Sequence, residues 1–404
     1  MTSESDLQEV VPELLAGKAK ALLHTSFTTD SPVSFVSVPG RVNLIGEHID
    51  YHQLPVLPMA IQRRVVLAFQ ARADRLVRAV SSAQNGESKF ELSSLEPSPF
   101  GCWTNYLKAG AMAVQSRWKI ARGLDAAVVS DLPVAAGLSS STALLTGFAI
   151  ALLEVNGISP SLDDLMAILP DGEQYVGTRG GGMDHAAVLA SQPGCGLLVA
   201  FAPLELAAIP IPADWRFVIA HSLTAAEKSG AVREQYNRRR AAGSAALQSL
   251  GLESYRQALE ARLDGARVSG TAERNAFRHT MSEARRVNAA VSALKAGNFA
   301  AFGRLLAASH ASLRDQLQVS TPQVDALVEA VVEAGAAGAR LTGAGFGGCV
   351  LALCKDETVE AVCDELTRRF YAERCRETSL DDILFVAEPS AGALSKQASG
   401  EDFR

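Results

Sequence analysis

Residues 40–51 read GRVNLIGEHIDY, and this stretch concentrates Arg41, Asn43, Glu47, His48 and Asp50 among Val42, Leu44 and Ile45. The charged residues follow an apolar strand and sit beside Gly46, so they are expected to converge at the end of a sheet. Two carboxylates, an imidazole and a guanidinium form the donor and acceptor set needed to read several hydroxyls of one polar ligand. Alone, His48 reads as a hydrogen-bonded structural histidine; the carboxylates on either side of it favour the binding role. Outward from this stretch, SFVSVP precedes it, and LPVLPMAIQRRVVLAFQAR and DRLVRAVSS follow it. These short β-rich runs separated by turns predict a mixed or antiparallel sheet.

Helical periodicity takes over in NYLKAGAMAVQSRW. AAVVSDLPV is then a strand, and Ser139–Ser141 open an apolar helix that stops at Asn156 and Gly157. DDLMAILPDGEQYVG predicts a further helix interrupted at Pro170. GCGLLVAFAPLELAAIPIPADW reads as a strand leaving one domain and a connection into the next, with the boundary near Ala208 to Asp214. Beyond it come a strand at RFVIAHS, helices from Ala225 to about Ala308, and a helix at VDALVEAVVEAGA. Strands at GARLTG, GCVLALC and DDILFVAEP surround the helix ETVEAVCDELTRRFYAE. The expected class is therefore α+β with two domains, residues 20–210 and 211–392, flanked by terminal segments 1–19 and 393–404.

DLPVAAGLSSSTALLTGFAI puts Gly137 and three serines directly between a strand and the start of a helix. Helix N-termini carry unpaired N–H groups and a partial positive charge, and a glycine lets backbone approach an anion closely. Taken alone, GLSSS is a serine cap after a turn glycine; beside the other segments it reads as a phosphate loop, with hydroxyl oxygens for Mg²⁺. Neither a Walker A motif nor the HRD and DFG landmarks occur in the chain. LTGAGFGGCVLAL, from Leu341, is too rich in glycine for a strand interior and reads equally as a hairpin or a ligand loop. In TRGGGMDHAAVLAS, Asp184 follows three glycines. The plain reading is an N-cap aspartate. The functional reading is a general base for an accepting hydroxyl, kept ionised by a nearby cation, for which Arg41 is the natural choice.

The chain has 404 residues, 48% hydrophobic and 20% charged, with 38 basic against 44 acidic residues. That size suits two or three domains. The charge balance, with no basic block longer than Arg238–Arg240, argues against nucleic acid as a partner. No apolar run approaches the ~18 to 20 residues of a membrane span, and the start lacks the pattern of a signal peptide. Six cysteines without CxxC pairing fit free thiols in a reducing cytoplasm. The expected state is a cytoplasmic monomer or weak homodimer acting on small molecules.

In their order along the chain, these segments resemble the GHMP kinase superfamily. GRVNLIGEHIDY matches the galactokinase signature, LPVAAGLSSST resembles the ATP motif with Ala135 and Ala136 in place of glycines, and LTGAGFGGC resembles the third motif. WTNYLKAG, HTMSEARRVNAAVSALKAGNF and SHASLRDQLQVSTPQVDALV extend the resemblance over nearly the whole chain. It implies an N-terminal domain like ribosomal protein S5 domain 2, a ferredoxin-like C-terminal domain, and a site in the cleft between them. The implied activity is an ATP-dependent sugar 1-kinase giving galactose 1-phosphate and ADP. The alternatives are an N-acetylgalactosamine or other hexose or pentose kinase, or a non-catalytic sugar and ATP sensor. Carried over by position, Asp184 and Arg41 would be catalytic. Arg41, Glu47, His48, Asp50, Gly182, Asp184 and Lys228 would contact the sugar. Gly137, Leu138, Ser139, Ser140, Ser141, Gly343 and Gly345 would hold ATP, and Ser141 with Glu173 the Mg²⁺. Three features depart from the commonest galactokinase pattern. His185 replaces a glutamine, and Lys228 falls where a tyrosine contacts the sugar. Ile49, the triple glycine and the Glu173-to-Asp184 interval of eleven resemble the branch of N-acetylgalactosamine kinase and yeast-type galactokinase.

Overall fold

The computed structural model describes residues 12–28, 31–84, 86–133, 136–177, 180–225, 230–375 and 379–394. In the N-terminal half, strands β1 (Ser34–Ile45), β2 (Leu57–Ala71), β3 (Leu76–Ser81), β4 (Ser88–Glu91) and β5 (Leu124–Ser130) form a sheet ordered β1-β2-β5-β3-β4. All neighbours are antiparallel except β3 and β5. β2 shows why its sequence, VVLAF, does not alternate in polarity: both faces of the sheet are covered. Val65, Leu67 and Phe69 point into the main core, whereas Val66 and Ala68 point the other way. That second face is closed by α1 (Glu13–Ser26), whose Leu15, Ala19 and Leu23, with Phe27, pack against Val66, Ala68, Ala127 and Val129. The expected terminal segment ending at residue 19 thus runs through the middle of a packed helix.

The main-core face carries α2 (Thr104–Gln115), α3 (Ser140–Val155), α4 (Leu162–Gly172) and α5 (Met183–Ala190). Pro170 lies inside the last turn of α4, which passes into a 3₁₀ turn at Glu173–Val176. The stretch expected to be one strand and a connection forms two paired strands, β6 (Cys195–Ala200) and β7 (Glu205–Pro210).

The C-terminal half begins with β8 (Trp215–His221) and continues through α6 (Gly230–Ser249), α7 (Tyr255–Glu260), α8 (Thr271–Lys295) and α9 (Phe299–Ser312). α10 (Pro322–Glu333), β9 (Gly338–Leu341), β10 (Cys349–Lys355), α11 (Val359–Leu366), α12 (Leu380–Ile383) and β11 (Leu384–Ala387) complete it. The four strands form an antiparallel sheet ordered β11-β8-β10-β9. Alternation along β8 and β10 divides two cores. Val218, Ala220, Val350 and Ala352 join α10 and α11, whereas Phe217, Ile219, Leu351 and Leu353 join the core that continues into the N-terminal half. The end of the described chain returns to the first half, where Ser390 N–H donates to Ala60 and the N–H groups of Ala393 and Leu394 donate to Val188 and Leu189. Among the described residues no helix is long and apolar enough to cross a membrane.

Candidate active site

The C-terminal end of β1 meets β9 and the glycine loop after it, and this junction builds the site. Arg340, fully buried on β9, donates from Nη1 to the carbonyls of Asn43 (3.2 Å) and Leu44 (3.0 Å). Asn43 N–H donates to Thr342 Oγ1 at 3.0 Å. β1 therefore ends with its backbone held by the second half of the molecule.

Asp184 does not cap its helix. Gly182, at φ 99°, is the N-cap of α5, and Asp184 is the second helical residue. Its carboxylate is turned instead onto Arg41, with Nε to Oδ1 at 2.8 Å and Nη2 to Oδ2 at 3.0 Å, while Arg41 Nη1 donates to the Gly137 carbonyl at 2.7 Å. Ser139 Oγ donates to Asp184 Oδ2 at 2.5 Å. Burial by itself would lower the Arg41 guanidinium, but Asp184, Glu47 and Asp50 around it hold it above its ordinary value. One cation thus ties the end of β1, the glycine turn before α3 and the start of α5 to a single point.

The two glycine-rich segments touch through their backbones. Gly343, at φ 88°, packs so closely that an added Cβ would stand 2.9 Å from the Gly137 carbonyl oxygen. Ser139 is the N-cap of α3 in the left-handed region (φ 61°), with Ser140 and Ser141 opening the helix. From the next position Thr142 Oγ1 donates to Glu173 Oε1 at 2.5 Å, which fixes that carboxylate beside the first turn of α3. Gly345 lies farther along the second loop, where an added Cβ would stand 2.4 Å from the Val319 carbonyl oxygen.

Glu47, His48 and Asp50 all enter this region, each with protein partners. Glu47 is 2% exposed; Oε1 accepts from Gly343 N–H at 2.6 Å and Oε2 from Asn43 Nδ2 at 2.9 Å. Arg340 Nη2 stands 3.3 Å from Oε1, an ion pair without hydrogen-bond alignment. Burial raises the Glu47 carboxyl, opposed by Arg340 and Arg41. His48 has φ 61°, and its Nε2 donates to the Ala344 carbonyl at 3.1 Å, so Nδ1 accepts from Tyr51 Oη at 2.9 Å. Burial lowers its pKa to about 3, and the ring is neutral. Asp50 Oδ2 accepts from Gly181 N–H at 3.0 Å, and burial with the charge of Asp184 raises its pKa to about 6. Only glycine fits at 181, because a Cβ there would lie 2.2 Å from the Asp50 carbonyl carbon.

Lys228 lies outside the described residues. The side chain that this segment brings to the site is Tyr236 on α6, which the sequence reading passed over. Its ring centroid is 5.3 Å from that of His48 and 5.8 Å from that of Tyr51. Burial holds its hydroxyl well above the ordinary value, helped by the charges of Asp50 and Asp184, so it is a neutral donor among acids. The signal was its place one turn before Arg239 and Arg240, on a helix predicted only as a helix. His185 is buried in the first turn of α5.

A buried carboxylate on an arginine fork, two glycine turns at a helix mouth and a cluster of acids behind them fit a small-molecule kinase of the GHMP class. The models for the GHMP kinase N-terminal domain and the GHMP kinase C-terminal region match residues 105–192 and 290–372. The fold is shared with the Methanococcus jannaschii mevalonate kinase at TM-score 0.62, with 17% identity over 89% of this chain and 99% of that one. Within the class, the galactokinase galactose-binding signature matches residues 23–71. A galactokinase of Roseiflexus sp. (strain RS-1) is 36% identical over 84% of this chain and 88% of its own length, and one of Chloroflexus aurantiacus is 34% identical over 82% and 86%. The Lactococcus lactis galactokinase complexed with galactose superimposes at TM-score 0.84, with 27% identity over 94% of this chain and 99% of that one. The chain belongs to the galactokinase family, and is a phosphotransferase that uses ATP and an alcohol acceptor.

Proposed function

We propose that the protein transfers the γ-phosphoryl group of ATP to the anomeric hydroxyl of galactose, giving galactose 1-phosphate and ADP. The observation that carries this reading is the Arg41–Asp184 fork, placed between the glycine turns at 137 and 343 on one side and Asp50, His48 and Tyr236 on the other. The sugar would lie against Glu47, His48, Asp50, Gly182 and Tyr236. The nucleotide phosphates would lie at Gly137–Ser141 and the loop from Gly343 to Gly345, where helix N–H groups and bare backbone favour an anion.

In the transfer, Asp184 accepts the proton of the attacking hydroxyl while Arg41 holds the carboxylate in one orientation. Ser139, bonded to the same oxygen, limits its rotation further. An ionised partner in a bidentate grip makes Asp184 a weaker base but a well-placed one. Positioning and charge neutralisation therefore carry more of the barrier reduction than proton removal does. Mg²⁺ is commonly held by one or two protein oxygens and the nucleotide phosphates. The Ser141 hydroxyl and the Glu173 carboxylate, the latter pinned by Thr142, are oxygen donors of that type. When bound there, the ion would supply neutralising charge to the phosphates.

A purified-enzyme assay of ATP consumption over galactose, N-acetylgalactosamine, arabinose and glucose tests the proposal. The expected result is turnover of galactose, abolished by Asp184→Asn. No turnover of galactose would overturn it.

A further inference from the structure

The loop of Glu47, His48 and Asp50 is held from behind by one face of α8. His279, Glu283 and Val287 lie four residues apart along that helix, so they share a face. All three reach the loop. Glu283 Oε1 accepts from Gly46 N–H at 3.0 Å, His279 Nε2 lies 3.0 Å from the Glu47 carbonyl oxygen, and Val287 Cγ2 would stand 3.1 Å from a Cβ added at Gly46. A carbonyl only accepts, so His279 donates from Nε2, and its Nδ1 lies 2.8 Å from Ser312 Oγ.

The two anchors bracket a short piece of backbone. Gly46 N–H belongs to the peptide entering the turn, and Glu47 C=O to the peptide leaving toward His48. Gly46 is at φ 108°, and His48 at φ 61° occupies a conformation that side chains other than glycine adopt reluctantly. Such a turn persists only where its surroundings hold it. A buried carboxylate is a costly way to bind one N–H group unless it is itself paired. Here Arg286 Nε donates to Glu283 Oε2 at 2.6 Å, Ser309 Oγ donates to Oε1 at 2.7 Å, and Glu283 is fully buried. Burial favours the neutral acid, yet Arg286 together with His279, Arg340 and the Ser309 hydrogen bond outweighs it and holds the carboxyl at about 2, so the acceptor stays charged.

We propose that Glu283 and His279 are positioning residues for phosphoryl transfer: from the second half of the molecule they fix the Gly46–Glu47 backbone and thereby aim Glu47, His48 and Asp50 at the sugar. The proposal rests on the reading of that loop as the sugar site. Neither residue touches a reactant, so their loss acts on sugar affinity.

The test uses the full-length enzyme with His279→Leu, His279→Gln and Glu283→Gln, measuring KM for galactose and for ATP, together with the melting temperature. His279→Leu removes the donor to the Glu47 carbonyl and is expected to raise the galactose KM about tenfold, the size of one lost hydrogen bond, with the ATP KM within about twofold. His279→Gln, whose amide nitrogen can take the place of Nε2, should recover most of the loss. Glu283→Gln keeps an oxygen for Gly46 but loses the ion pair with Arg286, and should shift the galactose KM in the same direction. If that variant does not fold, the two His279 variants decide. Equal rises in both KM values, or a lower melting temperature with both KM values unchanged, would overturn the proposal. Galactose affinity by calorimetry gives the same comparison without turnover. A wild-type enzyme that binds galactose but does not phosphorylate it would therefore sink the activity reading and leave this test readable.

Discussion

Arg41 meets Asp184 edge to edge, two nitrogens on two oxygens, and spends its remaining terminal nitrogen on the Gly137 carbonyl. A lysine at 41 would keep the charge but provide one point of contact where the guanidinium provides a plane. Arg41→Lys is expected to lower kcat by roughly a hundredfold, the scale of losing one preorganised electrostatic contact. Steady-state kinetics check this, and a kcat within threefold of wild type would show that the planar grip is not used in the transfer.

Asp50 provides a pH dependence with a definite sign. Burial and the charge of Asp184 raise its pKa to about 6 in the free site. Above that pH it is a hydroxyl acceptor; as pH falls through about 6 it gains a proton and loses acceptor capacity. Galactose affinity is therefore expected to weaken on the acid side of pH 6. In Asp184→Asn the raising charge is gone, so the midpoint should move to lower pH. Calorimetric titration of both proteins between pH 5 and 8 measures it without requiring turnover, and coincident profiles would refute the coupling.

The sequence made the strands and the chemistry of the site legible because both are local. The apolar run of β2, the Gly137-to-Ser141 turn before α3 and the polar cluster after β1 each lie within about fifteen neighbouring residues. Less legible was whatever depends on a distant partner. The first half of α1 looked like a terminal segment because its Leu15 and Ala19 have meaning only against residues such as Val66 and Val129. Asp184 read either as an N-cap or as a carboxylate paired with Arg41, and local sequence alone does not choose between the two because that partner lies 143 residues away. Glu283 and His279 looked like ordinary helix residues, since the backbone they hold is more than 230 positions distant.

Tyr236 belongs to the same group, and its contribution is testable. Its ring packs beside His48 and Tyr51, and its hydroxyl stays protonated. Tyr236→Phe keeps the ring and loses one donor, and should raise the galactose KM about three- to tenfold, in line with ~1 kcal/mol for a neutral hydrogen bond. Tyr236→Ala removes the packing as well and should cost more. Unchanged galactose KM values in both variants would remove Tyr236 from the sugar site.

Gly343 joins two conditions that exclude a side chain: φ of 88° and a Cβ position 2.9 Å from the Gly137 oxygen. Gly343→Ala is expected to destabilise the protein by about 1–3 kcal/mol, the range for a strained backbone position, and to push the two glycine turns apart. The ATP KM should then rise more than the galactose KM. Thermal melts together with both KM values test this, and a variant matching wild type in all three would show that the close approach is not needed.

Acid should also unfold the protein early. Burial lowers His48 and His52 to about 3 and His279 and His310 to about 4, so all four are neutral in the folded state where an exposed histidine takes a proton near pH 6.5. Below that pH the unfolded chain binds protons that the folded chain refuses, so stability is complete above about pH 6.5 and falls toward pH 4. Asp50 works in the opposite direction, because its raised pKa lets the folded state hold a proton that the unfolded state gives up between about pH 6 and 4. Over these five groups the net is proton uptake on unfolding near pH 5, so stability falls as the pH drops toward 4. His52 packs against Tyr51 and Tyr255, so His52→Asn has a cost of its own, but that cost does not vary with pH. Averaged between pH 7 and 5, the slope of stability against pH should drop by about 1 kcal/mol per unit. Denaturant unfolding of both proteins from pH 7 to 5 gives the two slopes. Equal slopes would mean that His52 titrates normally in the folded protein and that its ring is not sealed among these aromatic neighbours.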